Sequence, residues 1–223
     1  MPSSPPSAPW KLNGSGYIFL YQLTQDHIDT TNSVEPWLAP HRTGDLSALM
    51  VFDWRQTPVG PYREMVFAPG RYKWAGRRYY HFARQYVTSP DAAAYGPKLW
   101  GTPDTLAEID IVREDERTKT ITVNHNSKAI FNASVTDGLL RFPFNTFFNP
   151  FRVKLLQRHP DDGKTLSIEP RAGGTLSLTG TLESITTNGG GLPSLDSLKP
   201  LALVEAVSLR LTFPIPLTVE ANA

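Results

Sequence analysis

Val87-Thr88-Ser89-Pro90-Asp91-Ala92-Ala93-Ala94-Tyr95-Gly96-Pro97-Lys98-Leu99-Trp100-Gly101-Thr102-Pro103-Asp104-Thr105-Leu106-Ala107-Glu108 is the stretch that decides the fold. A strand is expected to end at Thr88. Ser89 is a good helix N-cap, and Pro90 suits the first helical position, where no backbone N–H is needed. Small residues, Ala92 to Ala94, carry the helix towards Leu99 and Trp100. Gly101 is the expected C-cap, and Pro103 forbids continuation. This strand–capped helix–turn unit stands alone in a chain of otherwise short, β-rich segments.

Outward from it, strands are expected at Tyr17–Leu23, Leu46–Asp53, Arg78–Val87, Leu106–Arg113, Thr118–Asn124, Ala129–Val135, Arg152–Gln157 and Gly174–Thr186, with Gly60–Phe67 a turn feeding a strand and a last strand over Leu203–Glu220 broken near Pro214 and Pro216. Gly, Pro and Asn turns separate them. Gln25–Asp45, punctuated by Pro36, Pro40 and Gly44, reads as a long loop of the kind that forms lids, and two landmarks, Trp37 and Trp54, flank the strand that follows it. Phe142–Phe151 reads as an aromatic loop. No long amphipathic helix and no βαβ alternation is present. The expected fold is therefore mainly β (α+β), an antiparallel β-barrel or sandwich with one or two packed helices. Residues 1–12, opened by Met1-Pro2-Ser3-Ser4-Pro5-Pro6, are expected to be a disordered Pro/Ser-rich tail, and 13–223 a single domain.

Composition removes several classes of function. There is no cysteine, so disulfides, thiolate catalysis and thiolate metal ligands are out. A formal net charge of +1 draws in neither nucleic acid nor an anionic membrane surface. The histidines show no metal-binding spacing, and no phosphate-binding loop, dinucleotide fingerprint or nucleophile elbow occurs. No metal and no cofactor is expected. The first residues lack the basic and apolar regions of a secretory signal, and no apolar run is long enough to span a bilayer, so a cytoplasmic location is expected.

The Gly96–Leu106 run resembles the acetoacetate decarboxylase family, whose G-x-E-[LI]-W-G-[FY]-P-K-K-L segment carries a Schiff-base lysine into a buried pocket. Gly60-Pro61-Tyr62-Arg63-Glu64 resembles the family's G-x-Y-x-E turn, with Glu64 at the pocket glutamate. Asn149-Pro150-Phe151-Arg152-Val153-Lys154 resembles its R-P-N-[FY]-x-x-K segment, and Ala206–Val219 its final strand. The resemblance runs in order from about Tyr17 to the C-terminus. It implies the decarboxylase-like β fold and a homo-oligomer.

The departures bear on activity. Asp104 and Thr105 stand where the resemblance expects the lysine pair, and Lys98 where it expects a glutamate. Ala48 or Leu49 falls near its second acidic position, and Gly14–Gly16 offers no match for its pocket arginine. An imine-forming lysine, made neutral by desolvation and a neighbouring cation, has no counterpart at Asp104.

Glu64 and Asp104 remain as the candidate catalytic pair. Two carboxyl groups in one apolar cavity have their pKa values pushed apart, so that one donates and the other accepts a proton. A purely structural reading stands beside it: Asp104 caps a turn, and Glu64 pairs with Arg63 or Arg84 at a barrel mouth. Tyr62, His81, Arg84, Tyr86, Trp100 and Phe148 are the candidate substrate-binding residues. Aromatic core packing and a hydrogen-bonded structural histidine are the alternatives for them. His27 and His41 could reach a cavity from the lid.

The expected function is a cofactor-free lyase, isomerase or cyclase acting on a carbonyl-containing, polyketide-like small molecule in secondary metabolite biosynthesis. A non-catalytic small-molecule binding protein and a decarboxylase with a relocated lysine are the alternatives. With Asp104 in place of lysine, borohydride added together with acetoacetate should leave every lysine unmodified. Intact-mass spectrometry checks this; a reductively trapped adduct, on Lys98 first of all, would restore imine chemistry.

Overall fold

The computed structural model describes residues 6–146 and 153–220. In chain order the first strands are β1 (Trp10–Gln22), β2 (Arg42–Gly44), β3 (Leu46–Gln56), β4 (Tyr62–Ala68), β5 (Arg71–Trp74), β6 (Arg77–Tyr80) and β7 (Arg84–Val87). Then come β8 (Asp104–Leu106), β9 (Glu108–Arg113), β10 (Thr118–His125), β11 (Lys128–Thr136) and β12 (Arg141–Asn145). The last are β13 (Leu155–Arg158), β14 (Thr165–Ile168), β15 (Arg171–Ser177), β16 (Thr181–Thr187), β17 (Ala202–Phe213) and β18 (Leu217–Thr218). Among the described residues two α-helices accompany them, α1 (Gln25–Asp29) and α2 (Pro90–Trp100).

An eight-stranded sheet, in the order β12-β15-β17-β1-β3-β4-β7-β8, is the central layer. A four-stranded sheet, β16-β11-β10-β9, covers one of its faces, and a six-stranded sheet, β18-β14-β13-β6-β5-β2, lies on the other side with α2. Pairing is antiparallel except for β7 with β8 and β6 with β13. β12 and β8 are the two ends of the central sheet, so the barrel-or-sandwich expectation resolves to layered open sheets.

Coverage on both faces explains the sequence of β1. Tyr17, Phe19 and Tyr21 are buried against the four-stranded sheet, while Ile18 and Leu20 face the other side. Successive residues of a strand point to opposite faces. A strand covered on both faces therefore reads as a continuous apolar run, which is what Tyr17-Ile18-Phe19-Leu20-Tyr21 is.

Several boundaries differ from the sequence reading. Trp10–Leu12, expected in the disordered tail, begin β1; Trp10 and Leu12 are buried there, and Trp10 pairs with Phe213 of β17. Burial of an indole outweighs the Pro/Ser-rich context before it. Arg78–Val87, expected as one strand, splits into β6 and β7 in different sheets. The crossing at His81–Ala83 is held by the His81 Nδ1 to Leu156 O bond of 2.8 Å and by Ala83 N donating to Phe67 O at 2.9 Å. The long loop contains α1, a short 3-10 turn and β2. Phe142–Asn145 belongs to β12, and β14 had no sequence signal strong enough to be read.

A polar clamp ties the four-stranded sheet to the central one. Lys119 Nζ on β10 lies 2.7 and 2.8 Å from the Asp137 carboxylate oxygens, and the Tyr17 hydroxyl of β1 donates to the same carboxylate. Asp137→Ala strands a largely buried ammonium. It should lower stability by about 2–3 kcal/mol, less than a fully buried broken pair because both partners keep some solvent contact. Urea unfolding of the variant against the parent measures this.

Candidate active site

Residue parity along the central sheet determines what faces the second layer. On β1, β3 and β4 the even-numbered residues do so: Leu20, Met50, Trp54, Tyr62, Glu64 and Val66 all line one cavity. Their odd-numbered neighbours, such as Phe19, Val51 and Met65, belong to the core against the four-stranded sheet. The cavity has a volume of about 370 Å³. α2 covers it with Ala92, Gly96 and Trp100, and Tyr80 and Leu155 close it from the six-stranded sheet.

Register then brings the two carboxyl groups together. Val66, two residues from Glu64 and on its face, pairs with Gln85 of β7, and Gln85 pairs with Asp104 of β8. Glu64 and Asp104 thus share a face two strands apart, and both line the cavity. Glu64 Oε2 accepts hydrogen bonds from Trp54 Nε1 at 2.6 Å and from the Tyr62 hydroxyl at 3.4 Å. Asp104 accepts from the Thr102 hydroxyl and from the Gln85 side chain.

These donors only partly offset burial. Desolvation first, and the nearby Asp104 charge second, push Glu64 from its ordinary 4.5 up to about 8. Desolvation pushes Asp104 from 3.8 up to about 7. The pair retains a proton near neutral pH, with Glu64 the better holder. With Oε2 occupied by two donors, Oε1 is the oxygen on which Glu64 carries it.

α2 is built as its sequence requires. Ser89 accepts from Ala92 N at 3.2 Å, Pro90 opens the helix, and Gly101 closes it in the left-handed region at φ 68°. The helix continues through Pro97 to Trp100. Gly96 is the point of closest approach: a Cβ there would lie 2.2 Å from Asp104 Oδ2. Any side chain at this position would drive the carboxyl out of place. Trp100 is both core and cavity wall. Its Nε1 donates to Pro214 O at 2.7 Å, and its ring meets Trp10 and Phe213 edge-on at 5.1 and 5.0 Å.

Of the residues singled out from sequence, Glu64, Asp104, Tyr62 and Trp100 meet at the cavity. His81, Arg84 and Tyr86 do not line it. His81 is buried among Tyr72 and Trp37, with burial lowering its pKa. Arg84 Nη1 and Nη2 donate to Ser33 O at 3.3 Å and Asn32 O at 3.1 Å, and Tyr86 donates to Gly190 O at 2.6 Å. On β7 parity is reversed, so Gln85 faces the cavity while Arg84 and Tyr86 face away. Phe148 and the Asn149–Arg152 part of the family likeness lie outside the described residues.

Glu64 has neither Arg63 nor Arg84 as a partner; Arg63 instead bonds Ile109 O at 2.8 Å and Asp110 at 3.2 Å. His27 and His41 stay outside the cavity lining. Lys98 is exposed on α2, and no lysine or arginine is among the described residues that line the cavity. Among the described residues no group of three or more His, Asp or Glu could hold a metal ion. Sequence reasoning missed Gln85, Thr102 and Trp54. Trp54 was visible as a landmark, and Thr102 lies inside the decisive motif.

The profile of the family described as acetoacetate decarboxylase (ADC) matches residues 1–191. No curated protein matches the sequence significantly. Among solved structures, the acetoacetate decarboxylase of Legionella pneumophila is 16% identical, with a TM-score of 0.70 over 99% of this chain and 93% of that one. An acetoacetate decarboxylase-like enzyme from Sphingomonas wittichii RW1 is 12% identical, with a TM-score of 0.71 over 100% and 97%. The enduracididine biosynthesis enzyme MppR, solved with the condensation product of pyruvate and imidazole 4-carboxaldehyde, is 12% identical, with a TM-score of 0.66 over 96% and 90%. At these identities the likeness is one of fold.

Stability should carry the signature of the raised carboxyls. The folded state holds protons that the unfolded chain has already released, so stability falls as pH rises from about 4 to about 8 and is flat beyond. Glu64→Gln should flatten this slope, recovering on the order of 2 kcal/mol between about pH 5 and pH 8. Urea unfolding at the two pH values checks it; a slope unchanged in the variant would place the titration elsewhere.

Proposed function

This chain belongs to the acetoacetate decarboxylase family, and on that premise we propose that it is a cofactor-free acid–base enzyme, a lyase, isomerase or cyclase acting on a carbonyl-containing small molecule. One observation carries the reading: two protonation-shifted carboxyl groups, Glu64 and Asp104, face the same apolar cavity. Both halves of a proton transfer are thereby present in the chain itself.

Asp104, as carboxylate, removes a proton from the carbon next to the substrate carbonyl. Glu64 delivers its proton from Oε1 to the carbonyl oxygen, giving an enol. Tyr62 and Trp54 donate to Oε2 and offset the charge left behind. Return of a proton at another carbon is isomerisation, expulsion of a β-hydroxyl as water is dehydration, and attack of the enol carbon on a second carbonyl is cyclisation. Exclusion of water strengthens each of these interactions. The carbonyl condensation product held by MppR, of the same fold, supports this class of chemistry. A homo-oligomer, on the family resemblance alone, and a cytoplasmic role in secondary metabolite biosynthesis belong to the same reading. The strongly apolar lining favours one second reading, a non-catalytic binder of a small molecule.

Exchange of α-protons of small ketones in heavy water, followed by NMR, separates the two. The enzyme reading expects exchange with a bell-shaped pH dependence whose limbs belong to the carboxyl pair, near about 7 and about 8. Glu64→Gln and Asp104→Asn should each slow it at least ~100-fold while ketone binding persists. Ketones that bind without exchanging would leave the binder; exchange that survives both substitutions would remove the pair from the mechanism.

A further inference from the structure

The lining of the cavity is polarised along the central sheet. At one end, on β3, β4, β7 and β8, gather the polar groups of Trp54, Tyr62, Glu64, Gln85 and Asp104, beside the apolar Met50, Phe52 and Val66 of the same strands. Beyond them, β1, β17 and β15 contribute Leu12, Ile18, Leu209, Leu211 and Leu176, all apolar. Four strand spacings separate Glu64 on β4 from Leu176 on β15, about 19 Å along the sheet. The cavity is thus an elongated apolar trough with a polar head.

Among the described residues, the titratable side chains in that head are of one sign. Glu64 and Asp104 are the titratable carboxyls, and no lysine or arginine accompanies them among the described residues lining the cavity. α2 ends at Trp100, four residues before Asp104. Its C-terminal turn adds partial negative charge, and the N-terminal end that favours anions is at Ser89. Among the described residues, a carboxylate brought into such a site would lose its hydration, find no counterion and meet two acidic groups.

We propose that the substrate is an uncharged ketone or aldehyde with an apolar body, not a keto acid, and that it binds with its carbonyl between Glu64 and Asp104 and its apolar body along β1, β17 and β15. This inference rests on the acid–base reading for the role of the carbonyl, and it narrows that reading to one substrate class. The trough explains the apolar stretch that proton transfer alone does not need. Burial of the tail supplies binding energy remote from the reacting atoms, and the polar head fixes the orientation.

A binding series tests it without reference to turnover. Straight-chain methyl ketones of increasing length are titrated against the full chain, with tryptophan fluorescence or calorimetry as the readout. The matching α-keto acids, in which the methyl next to the carbonyl is replaced by a carboxylate, are titrated alongside. Affinity for the ketones should rise about 2- to 4-fold per methylene until the trough is full. Leu176→Trp should stop that rise at a shorter tail. The α-keto acids should bind at least ~100-fold more weakly at neutral pH, and the double variant Glu64→Gln/Asp104→Asn should narrow that gap. The parent protein alone decides the main point if a variant does not fold: keto acids that bind as tightly as ketones overturn the proposal, as does affinity independent of tail length. Ketones preferred but never exchanged would sink the acid–base reading and leave the substrate class standing. Exchange confined to keto acids would do the reverse.

Discussion

Burying two carboxyl groups against one apolar cavity is the constraint that the surrounding structure answers to. The chain buries acids in two different ways. Asp137 is held by Lys119 and Tyr17, a charged partner and a donor, and serves to join two sheets. Glu64 and Asp104 have no cation beside them among the described residues that line the cavity, and are held by neutral donors, Trp54, Tyr62, Thr102 and Gln85. Neutral donors orient a carboxyl without fixing its charge, because they leave the proton's gain or loss within reach of neutral pH. The clamp at Asp137 suits architecture, and the arrangement at Glu64 and Asp104 suits proton traffic.

The same constraint sets the local backbone. Asp104 sits where the family's lysine is expected from the sequence, on a short strand paired in parallel with β7. Gly96 gives the Asp104 carboxyl room under α2, and Gly101 lets the chain turn from helix into that strand. Asp104 thus shares one largely apolar cavity with a second acid, Glu64.

Much of the fold was legible because its signals are local. Ser89, Pro90, Gly101 and Pro103 fix α2 by backbone chemistry alone, and the apolar run of β1 announces a strand covered on both faces. Signals that depend on tertiary context were not legible. Trp10 joins β1 because of what it packs against, and the break between β6 and β7 exists because the chain changes sheets there. The site followed the same division. Glu64, Asp104, Tyr62 and Trp100 lie in turns and motifs whose placement is fixed nearby. His81, Arg84 and Tyr86 were selected for their chemistry on a stretch whose facing is decided by the crossing at His81–Ala83. A one-residue change of phase put Gln85, an unremarked amide, on the cavity side instead.

That alternation on the central sheet separates two kinds of heritable change. Even positions of β1, β3 and β4 shape the trough, and odd positions hold the four-stranded sheet in place. Drift at Leu20, Met50 or Val66 can therefore remodel the chamber while Phe19, Val51 and Met65 keep the scaffold standing. A lineage built this way can explore new ligands one strand face at a time, and a combinatorial library confined to the even positions would sample recognition with little loss of foldable members.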